Sequence, residues 1–333
     1  TLLPLVPVLP PVPVKGYCVT LWIVAVSMLM GVTASFAQAR DLAEKTVPLN
    51  ALIDSPVDLS ESNLRTFYVD APLAFSQVYV FGDSVSDTGN YTAIAGDLPP
   101  PYDGKRLSNG PMAVEVLARA LGLNAAPSLH LLGPECGTNY SVASATASGN
   151  EAIDLAAQVA SFNANHNFVA PSDALYTLIL GGNDVRAARD AEDWETAIGI
   201  VSTAVERIHQ TIETLSQEGA RSFLVVNAPD IGGVPETRVL MDLSGDQTLA
   251  WRAHQLSQAY RIRLHYSMYD LRARSDVDIV EFDLFRYFNR LMSRAQYMGF
   301  RYLVWPCSTP CSGVIKGGSV GSCYSKRRPS SVR

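Results

Sequence analysis

The stretch Gln77-Val78-Tyr79-Val80-Phe81-Gly82-Asp83-Ser84 joins an apolar run to an abrupt break. β-Branched and aromatic residues fill the run, as in a buried strand, and glycine with small polar residues ends it. Ser84 is therefore presented at the end of a strand. In open α/β sheets, ligands collect at the carboxyl ends of the strands, where loops decide which side chains are exposed. Ser84 stands where a nucleophile is expected.

Three further apolar runs have the length of buried strands, and long helical patterns separate them. The runs span residues 174–180, 222–227 and 277–282, and the helical patterns span about 190–218 and 246–275. Continuous apolar strands that alternate with helices predict a parallel sheet covered on both faces. We therefore predict an α/β fold, a three-layer α/β/α sandwich around a central parallel sheet. One domain over residues 74–310 accommodates it.

Residues 112–122 carry apolar side chains at helical spacing and predict a surface helix that packs on the sheet. Ser108 or Asn109 is the expected N-cap, and Pro111 suits the first turn. Gly122 is expected to end the helix.

The composition indicates a folded protein without a nucleic-acid footprint. Of 333 residues, 47% are hydrophobic, which is ample for a sizeable core. Between residues 40 and 310, 20 Lys and Arg stand against 32 Asp and Glu, a net charge of −12. Such a surface offers no basic patch to nucleic acid or to anionic lipid headgroups.

The ten residues Phe81-Gly82-Asp83-Ser84-Val85-Ser86-Asp87-Thr88-Gly89-Asn90 resemble the first sequence block of the GDSL (SGNH) family of esterases and lipases. The resemblance implies a flavodoxin-like SGNH-hydrolase sandwich with Ser84 as the nucleophile. It implies hydrolysis of carboxylic esters without a metal or an organic cofactor. The motif differs from the Gly-x-Ser-x-Gly elbow of α/β-hydrolases, because Ser86 stands two residues after Ser84.

Two later stretches resemble further blocks of the family. Gly137-Thr138-Asn139-Tyr140-Ser141-Val142-Ala143 is similar to the second block, which implies that the Gly137 N–H points into the oxyanion hole. Cys136 and Ala143-Ser144 occupy places where further glycines are common. Leu180-Gly181-Gly182-Asn183-Asp184 is similar to the third block, which implies that the Asn183 amide is another oxyanion donor. Residues 227–235 look like the loop that such enzymes carry after the next strand.

Three carboxylates adjoin these predicted site residues. We interpret Asp83, Asp87 and Asp184 as residues that organise the loops around the site, because histidine is the more economical catalytic base beside a bonded asparagine. Solvated loop carboxylates are the alternative.

The sequence lacks the base that the resemblance implies. Family members carry a block Asp-x-x-His near the C-terminus, but none of the five histidines here has Asp three residues before it. After about Pro310 the chain has no acid and no periodicity, and it ends in Lys326-Arg327-Arg328. A frameshift or a truncated gene model explains this atypical basic tail, 311–333, and a natural basic tail is the alternative.

The N-terminus has the pattern of a secretory signal. Lys15 precedes an apolar run from Cys18 to Val32, and Ala37-Gln38-Ala39 resembles a cleavage site, so we expect residues 1–39 to be removed. Residues 1–14, before the first methionine, are a doubtful part of this segment. An uncleaved membrane anchor is the alternative, although the run is shorter than the ~20 residues that span a bilayer. Residues 40–73 read as an N-terminal extension.

Four cysteines remain after the predicted signal, and an exported protein can pair them. Cys307 with Cys311 is a candidate for a small disulfide loop. Their spacing also fits half a zinc site, but no histidine partners lie nearby.

Together these features predict a secreted or periplasmic ester hydrolase, and a lipase, an esterase and an acyltransferase from phospholipid all fit these residues. We expect a small-molecule or lipid ester as substrate, phospholipid acyl esters included, with transient contact with lipid surfaces and a monomeric state. Activity of the 333-residue chain is expected to be impaired because Asp-x-x-His is absent. A non-catalytic binding protein that keeps the fold is the rival, and a membrane-anchored scaffold is a third reading.

Overall fold

A computed structural model describes residues 75–99, 102–295 and 297 of the chain. The predicted signal, the N-terminal extension, the basic tail and the Cys307–Cys311 pair lie outside the described residues. Within them, no helix is both long and apolar enough to cross a membrane.

Four parallel strands form one sheet. They are β1 (Val78–Gly82), β2 (Leu175–Ile179), β3 (Ser222–Val226) and β4 (Asp278–Phe282), side by side in the order β1-β2-β3-β4. The register pairs first residue with first and last with last, so all four carboxyl ends lie at one edge. The predicted parallel α/β fold is confirmed, and each predicted strand agrees with the structure to within two residues.

Eight helices accompany the sheet in the described residues. They are α1 (Asn90–Ala95), α2 (Ala113–Ala120), α3 (Leu155–Asn165), α4 (Gly182–Asp190), α5 (Trp194–Gln217), α6 (Pro235–Ser244), α7 (Leu249–Arg274) and α8 (Leu284–Arg294). α5 and α7 are the predicted long helices.

Alternate residues of the strands feed two separate cores. Phe81, Tyr176 and Phe223 point to one face and pack with apolar residues of α3, α4, α5 and α7. Val80 and Leu224 point to the other face and pack with α2 and the start of α8. Each fully buried side chain of this size contributes about 1.5–3 kcal/mol relative to exposure. Burial on both faces explains why β1, β2 and β3 are continuous apolar runs, and β4, only partly buried at the sheet edge, tolerates Asp278 and Glu281.

The outer edge of β1 is covered by an extended segment, residues 137–142. The Val80 N–H donates to Thr138 O over 3.0 Å, and Val80 O accepts from the Tyr140 N–H over 2.7 Å. Gly82 O then accepts from the Val142 N–H over 3.1 Å. The segment therefore runs parallel to β1, and its later residues lie at the carboxyl edge of the sheet.

The N-cap expected for α2 was wrong. Neither Ser108 nor Asn109 caps this helix; Met112 is the N-cap, and its N–H donates to a Glu115 carboxylate oxygen at 2.7 Å. A glutamate in the first turn can satisfy an orphan N–H as well as a serine before the helix.

Candidate active site

Ser84 lies in the turn that follows β1, half-buried at the carboxyl edge of the sheet. The last residue of the strand, Gly82, has to lack a side chain because a Cβ there would collide with the Ser86 and Ser141 hydroxyls and with Ile179 O. The buried Gln158 side chain holds this residue, accepting from the Gly82 N–H at 2.9 Å and donating to Gly82 O at 2.8 Å. Among the described residues, no hydrogen bond engages the Ser84 hydroxyl.

Asp83, directly before Ser84, is a buried carboxylate with few partners. Its Oδ1 accepts from the Val85 N–H at 3.0 Å. Burial raises its pKa to about 6, against the lowering effects of that N–H and of Arg186. A carboxyl group near neutrality beside a candidate nucleophile is typical of functional sites.

Asp87 ties the Ser84 turn to the segment beyond residue 142. One carboxylate oxygen accepts from the N–H groups of Gly89 and Asn90, both at 2.8 Å. The other accepts from the Tyr91 N–H at 3.0 Å and from the Ala143 N–H at 2.9 Å. Burial still raises the pKa of Asp87. These contacts support the proposal that Asp87 organises the loops rather than reacts.

Asn183 follows β2, the strand beside β1, and stands in the first turn of α4. Its Nδ2 donates one hydrogen to Ala145 O at 2.8 Å. Its Oδ1 accepts from Arg186 Nη1 at 3.1 Å, and Arg186 Nε in turn donates to Glu236 at 2.6 Å. The amide is thus fixed in one orientation, with a second Nδ2 hydrogen left for a ligand.

Asp184 joins the same two loops from the side of β2. Its carboxylate oxygens accept from the N–H groups of Ala147 and Ser148, at 2.9 and 2.8 Å. Burial raises its pKa as well. The segment from Ala143 to Ser148 is therefore held to the Ser84 turn by Asp87 and to α4 by Asp184 and Asn183.

The structure places Gly137 and Ser144 at opposite ends of the second block. Gly137 packs its Cα against the carbonyls of Ala126 and Pro127, where a Cβ would not fit. It lies five residues before Val142 in an extended segment, roughly 16 Å from the carboxyl edge. Ser144 lies beside the site instead, exposed and with a positive φ of 72°.

The backbone N–H of Ser144 makes no hydrogen bond within the described residues. From Ala143 to Ser148, every other N–H donates within the described residues. Ser144 stands between Ala143, which is bound by Asp87, and Ala145, which is bound by Asn183. The sequence prediction passed over it because the left-handed backbone here is adopted by a serine and not by a glycine.

None of the five histidines hydrogen-bonds Ser84 in the described structure. His130, His166, His209 and His265 hydrogen-bond to other partners. His254, on α7, places its Nδ1 at 2.7 Å from Asp230 Oδ2.

Asp230 is buried in the loop after β3, and its Oδ1 also accepts from the Gly232 N–H at 3.0 Å. This His–Asp pair is absent from the sequence-based site, because the two residues are 24 positions apart and carry no motif. β3 lies two strands from β1, about 10 Å across the sheet.

No set of three or more His, Cys, Asp or Glu side chains could hold a metal ion in the part of the chain that the structure describes. The site consists of the Ser84 hydroxyl, the Asn183 amide and aspartate carboxylates that accept hydrogen bonds from backbone N–H groups. Fixed amide and backbone N–H donors of this kind can stabilise a negative charge that develops on a substrate oxygen.

Comparison with known proteins matches residues 78–302 to the family described as GDSL-like lipase/acylhydrolase. Lipase 1 of Photorhabdus luminescens is 31% identical over 169 residues, which cover 49% of this chain and 24% of the lipase. The phosphatidylcholine-sterol acyltransferase of Aeromonas hydrophila is 33% identical over 178 residues, 51% of this chain and 49% of that enzyme. A GDSL esterase/lipase of Zea mays, named ACHE, is 25% identical over 270 residues and 68% of each chain. The chain thus spans about a quarter and about half of the two bacterial relatives.

Proposed function

This chain belongs to the GDSL-like lipase/acylhydrolase family, and we propose that it is a serine hydrolase of carboxylic esters with Ser84 as nucleophile. The observation that supports this most is the convergence of three loops at one sheet edge. The Ser84 turn, the Ala143–Ser148 segment and the first turn of α4 are joined by Asp87, Asp184 and Asn183.

In the proposed reaction, Ser84 Oγ attacks the ester carbonyl and the carbonyl oxygen becomes an oxyanion. The second Nδ2 hydrogen of Asn183 and the backbone N–H of Ser84 are donors for it. The alcohol then leaves, and water releases the acyl group from Ser84. The negative charge on the oxyanion is stabilised by donors that are already in place before the reaction and need not reorganise.

We assign the third oxyanion donor to the Ser144 N–H. The prediction that Gly137 supplies it stays a prediction, and the position of Gly137, roughly 16 Å back along the segment, gives it no support. Ser144 lies between the two anchored residues of the loop and has a free N–H.

Asp87 and Asp184 act by holding these loops. The same role for Asp83 stays a prediction, because its carboxylate accepts only from the Val85 N–H of its own turn among the described residues.

Arg186 acts by orienting the Asn183 amide. A guanidinium on Oδ1 fixes which end of the amide faces the substrate and polarises its N–H groups. Glu236 fixes the guanidinium in turn.

The proton of Ser84 needs an acceptor, and the family resemblance assigns that role to Asp-x-x-His. The 333 residues contain no such block. We define the base-complete chain as this protein with the residues after 306 replaced by a segment that supplies it.

A fluorophosphonate probe tests the function. It should label the base-complete chain at Ser84, and Ser84→Ala should remove the label while the fold persists. A base-complete chain that folds but takes no label would overturn the proposal.

A non-catalytic binding protein is the second candidate, because no histidine hydrogen-bonds Ser84 in the described residues. This candidate predicts that a carboxylic ester binds without turnover even in the base-complete chain. Ester hydrolysis by that chain would exclude it.

Export is also a proposal, supported by Lys15, the apolar run and Ala37-Gln38-Ala39. An intact mass measured on protein recovered outside the cytoplasm should correspond to a chain that begins near Arg40. A mature chain that retains Trp22 would contradict it. A lipid ester substrate and a monomeric state are two further proposals, separate from export.

A further inference from the structure

Two tryptophans stack on each other at the tips of the two longest helices. Trp194 is the first residue of α5, and Trp251 lies in the first turn of α7. Their ring centroids are 6.2 Å apart with planes at 27°, yet 44% and 62% of the two residues stay exposed. Arg252 Nη2 joins the tips by donating to Ala191 O at 2.6 Å and to Asp193 O at 3.2 Å.

The pair projects beyond the sheet at the end that carries Ser84. Tyr260, farther along α7, donates its hydroxyl to Leu180 O just after β2, which fixes the height of the helix against the sheet. Trp251 precedes Tyr260 by nine residues, so it stands about 13 Å farther out. Asn183 and Ser84 lie at the same carboxyl edge, behind the tryptophans.

The surroundings of the pair are acidic. Within residues 192–195 and 246–252, four acids accompany one base. The acids are Glu192, Asp193, Glu195 and Asp246, and Asp193 and Asp246 face the base, Arg252. Anionic headgroups are repelled by this balance, whereas a cationic group is attracted.

We propose that Trp194 and Trp251 form a docking surface for lipid surfaces that carry phosphocholine headgroups. Tryptophan faces bind quaternary ammonium groups, and acidic neighbours strengthen the attraction. Indole rings also partition to the boundary between headgroups and acyl chains. Docking here turns the carboxyl edge of the sheet toward the lipid. The inference rests on the proposed ester hydrolase, for which the surface would present substrate.

Mutual packing of the two helices does not by itself account for the pair. The helix tips are already joined through Arg252, and the two indoles together form an exposed apolar patch rather than a single exposed side chain. Tyr266 and Tyr269, farther along α7, are equally large aromatic residues with 68% exposure. They lie toward the other end of the helix and give a matched control.

Fluorescence of the two indoles tests the contact directly. In the full chain carrying Trp22→Phe and Trp305→Phe, Trp194 and Trp251 are the remaining tryptophans. Vesicles of dioleoylphosphatidylcholine should shift their emission to the blue, and brominated phosphatidylcholine should quench it. Phosphatidylglycerol vesicles should have much less effect. Unchanged emission with saturating phosphatidylcholine, or an equal shift with phosphatidylglycerol, would overturn the proposal.

Partitioning measures the strength of the contact. W194A/W251A should weaken binding to phosphatidylcholine vesicles roughly tenfold, from two exposed cation–π contacts. Tyr266→Ala/Tyr269→Ala should leave binding within about twofold, and an equal loss in both double variants would contradict the assignment.

Hydrolysis of water-soluble p-nitrophenyl acetate by the base-complete chain separates this inference from the proposed function. W194A/W251A should not change that rate, because the two exposed tryptophans stand at the helix tips and are not part of the proposed catalytic set. Vesicle binding without hydrolysis would leave the docking surface standing and remove the hydrolase. Hydrolysis without vesicle binding would support the hydrolase and overturn the docking surface.

Discussion

The two halves of the sheet's carboxyl edge use buried aspartates differently. Beyond β1 and β2, Asp87 and Asp184 accept hydrogen bonds from backbone N–H groups and fix loops around Ser84. Beyond β3, Asp230 accepts from one backbone N–H and holds the imidazole of His254. In our proposal the first half supplies the nucleophile and the oxyanion donors, and no histidine hydrogen-bonds Ser84 there among the described residues. The second half holds an oriented histidine, His254.

The neighbour of each carboxylate decides which role it takes. Asp87 lies at the start of α1, and its carboxylate accepts hydrogen bonds from the first backbone N–H groups of that helix, which have no partner within the helix. Asp230 lies beside α7, and its Oδ2 contacts the Nδ1 of the half-exposed His254. A carboxylate saturated by amides positions a loop, whereas one that keeps a lone pair can orient an imidazole.

Asn183→Ala should have the largest effect of a single substitution among the donors. In the base-complete chain, we expect kcat for a p-nitrophenyl ester to fall roughly 10²–10³-fold with KM little changed, because the amide is needed as charge develops. His254→Ala, in the other half, should leave kcat unchanged. An equal loss in both variants would erase the distinction between the halves.

Asp83→Asn should stabilise the protein at neutral pH. The ordinary pKa of 3.8 rises to about 6 in the fold, so between these values the folded state holds more protons than the unfolded state. Stability therefore falls as the pH rises through this window, by at most about 3 kcal/mol.

Urea unfolding between pH 4 and pH 7 measures this effect. The gain from Asp83→Asn should be largest at pH 7 and shrink toward pH 4. Asp230→Asn should bring no gain, because that carboxylate has His254 as a partner. A gain from Asp83→Asn that is independent of pH would contradict burial of the charge as its cause.

Arg186→Gln should lower kcat roughly tenfold in the base-complete chain, about the worth of one charged hydrogen bond. Because Arg186 is proposed to act through Asn183, the same change in an Asn183→Ala background should add almost nothing. The exposed Arg238 offers the control Arg238→Gln, which should have no effect. Additive losses would show that Arg186 works by another route.

Ser144→Gly should have the smallest effect, a stability gain of about 1 kcal/mol. Glycine relieves the positive φ of 72° and keeps the backbone N–H, so kcat should not change. Ser148→Gly, where φ is not positive, should lower stability instead. Thermal unfolding of the unmodified chain and the two variants measures these changes. A loss of stability in Ser144→Gly would contradict a strained backbone at this residue.

Strands and the residues directly after them could be predicted from the sequence. β1 to β3 are buried on both faces, which leaves apolar runs that alternation does not interrupt, whereas β4 at the sheet edge carries Asp278 and Glu281 and is only partly buried. Ser84 and Asn183 follow such runs at once, so the strand end fixes their place.

Residues set by tertiary contacts could not be found in this way. Ser144 is positioned by Asp87 and Asn183, which lie more than 35 residues away along the chain. His254 sits in a helical pattern that looks like any surface helix, and its partner Asp230 is joined to it by folding alone. Arg186 follows Asn183 by three residues, a helical spacing that places both side chains together and was a usable signal.

Hydrolysis of a p-nitrophenyl ester by the 333-residue chain and by the base-complete chain tests most directly whether Ser84 lacks a base. An unassisted serine hydroxyl is a weak nucleophile, and loss of the histidine of a serine hydrolase costs on the order of 10⁶ in kcat. The unmodified chain should therefore be nearly inactive, and the base-complete chain should gain an activity that Ser84→Ala abolishes. Rapid turnover by the unmodified chain that disappears in both Ser84→Ala and His254→Ala would contradict this separation of the two halves.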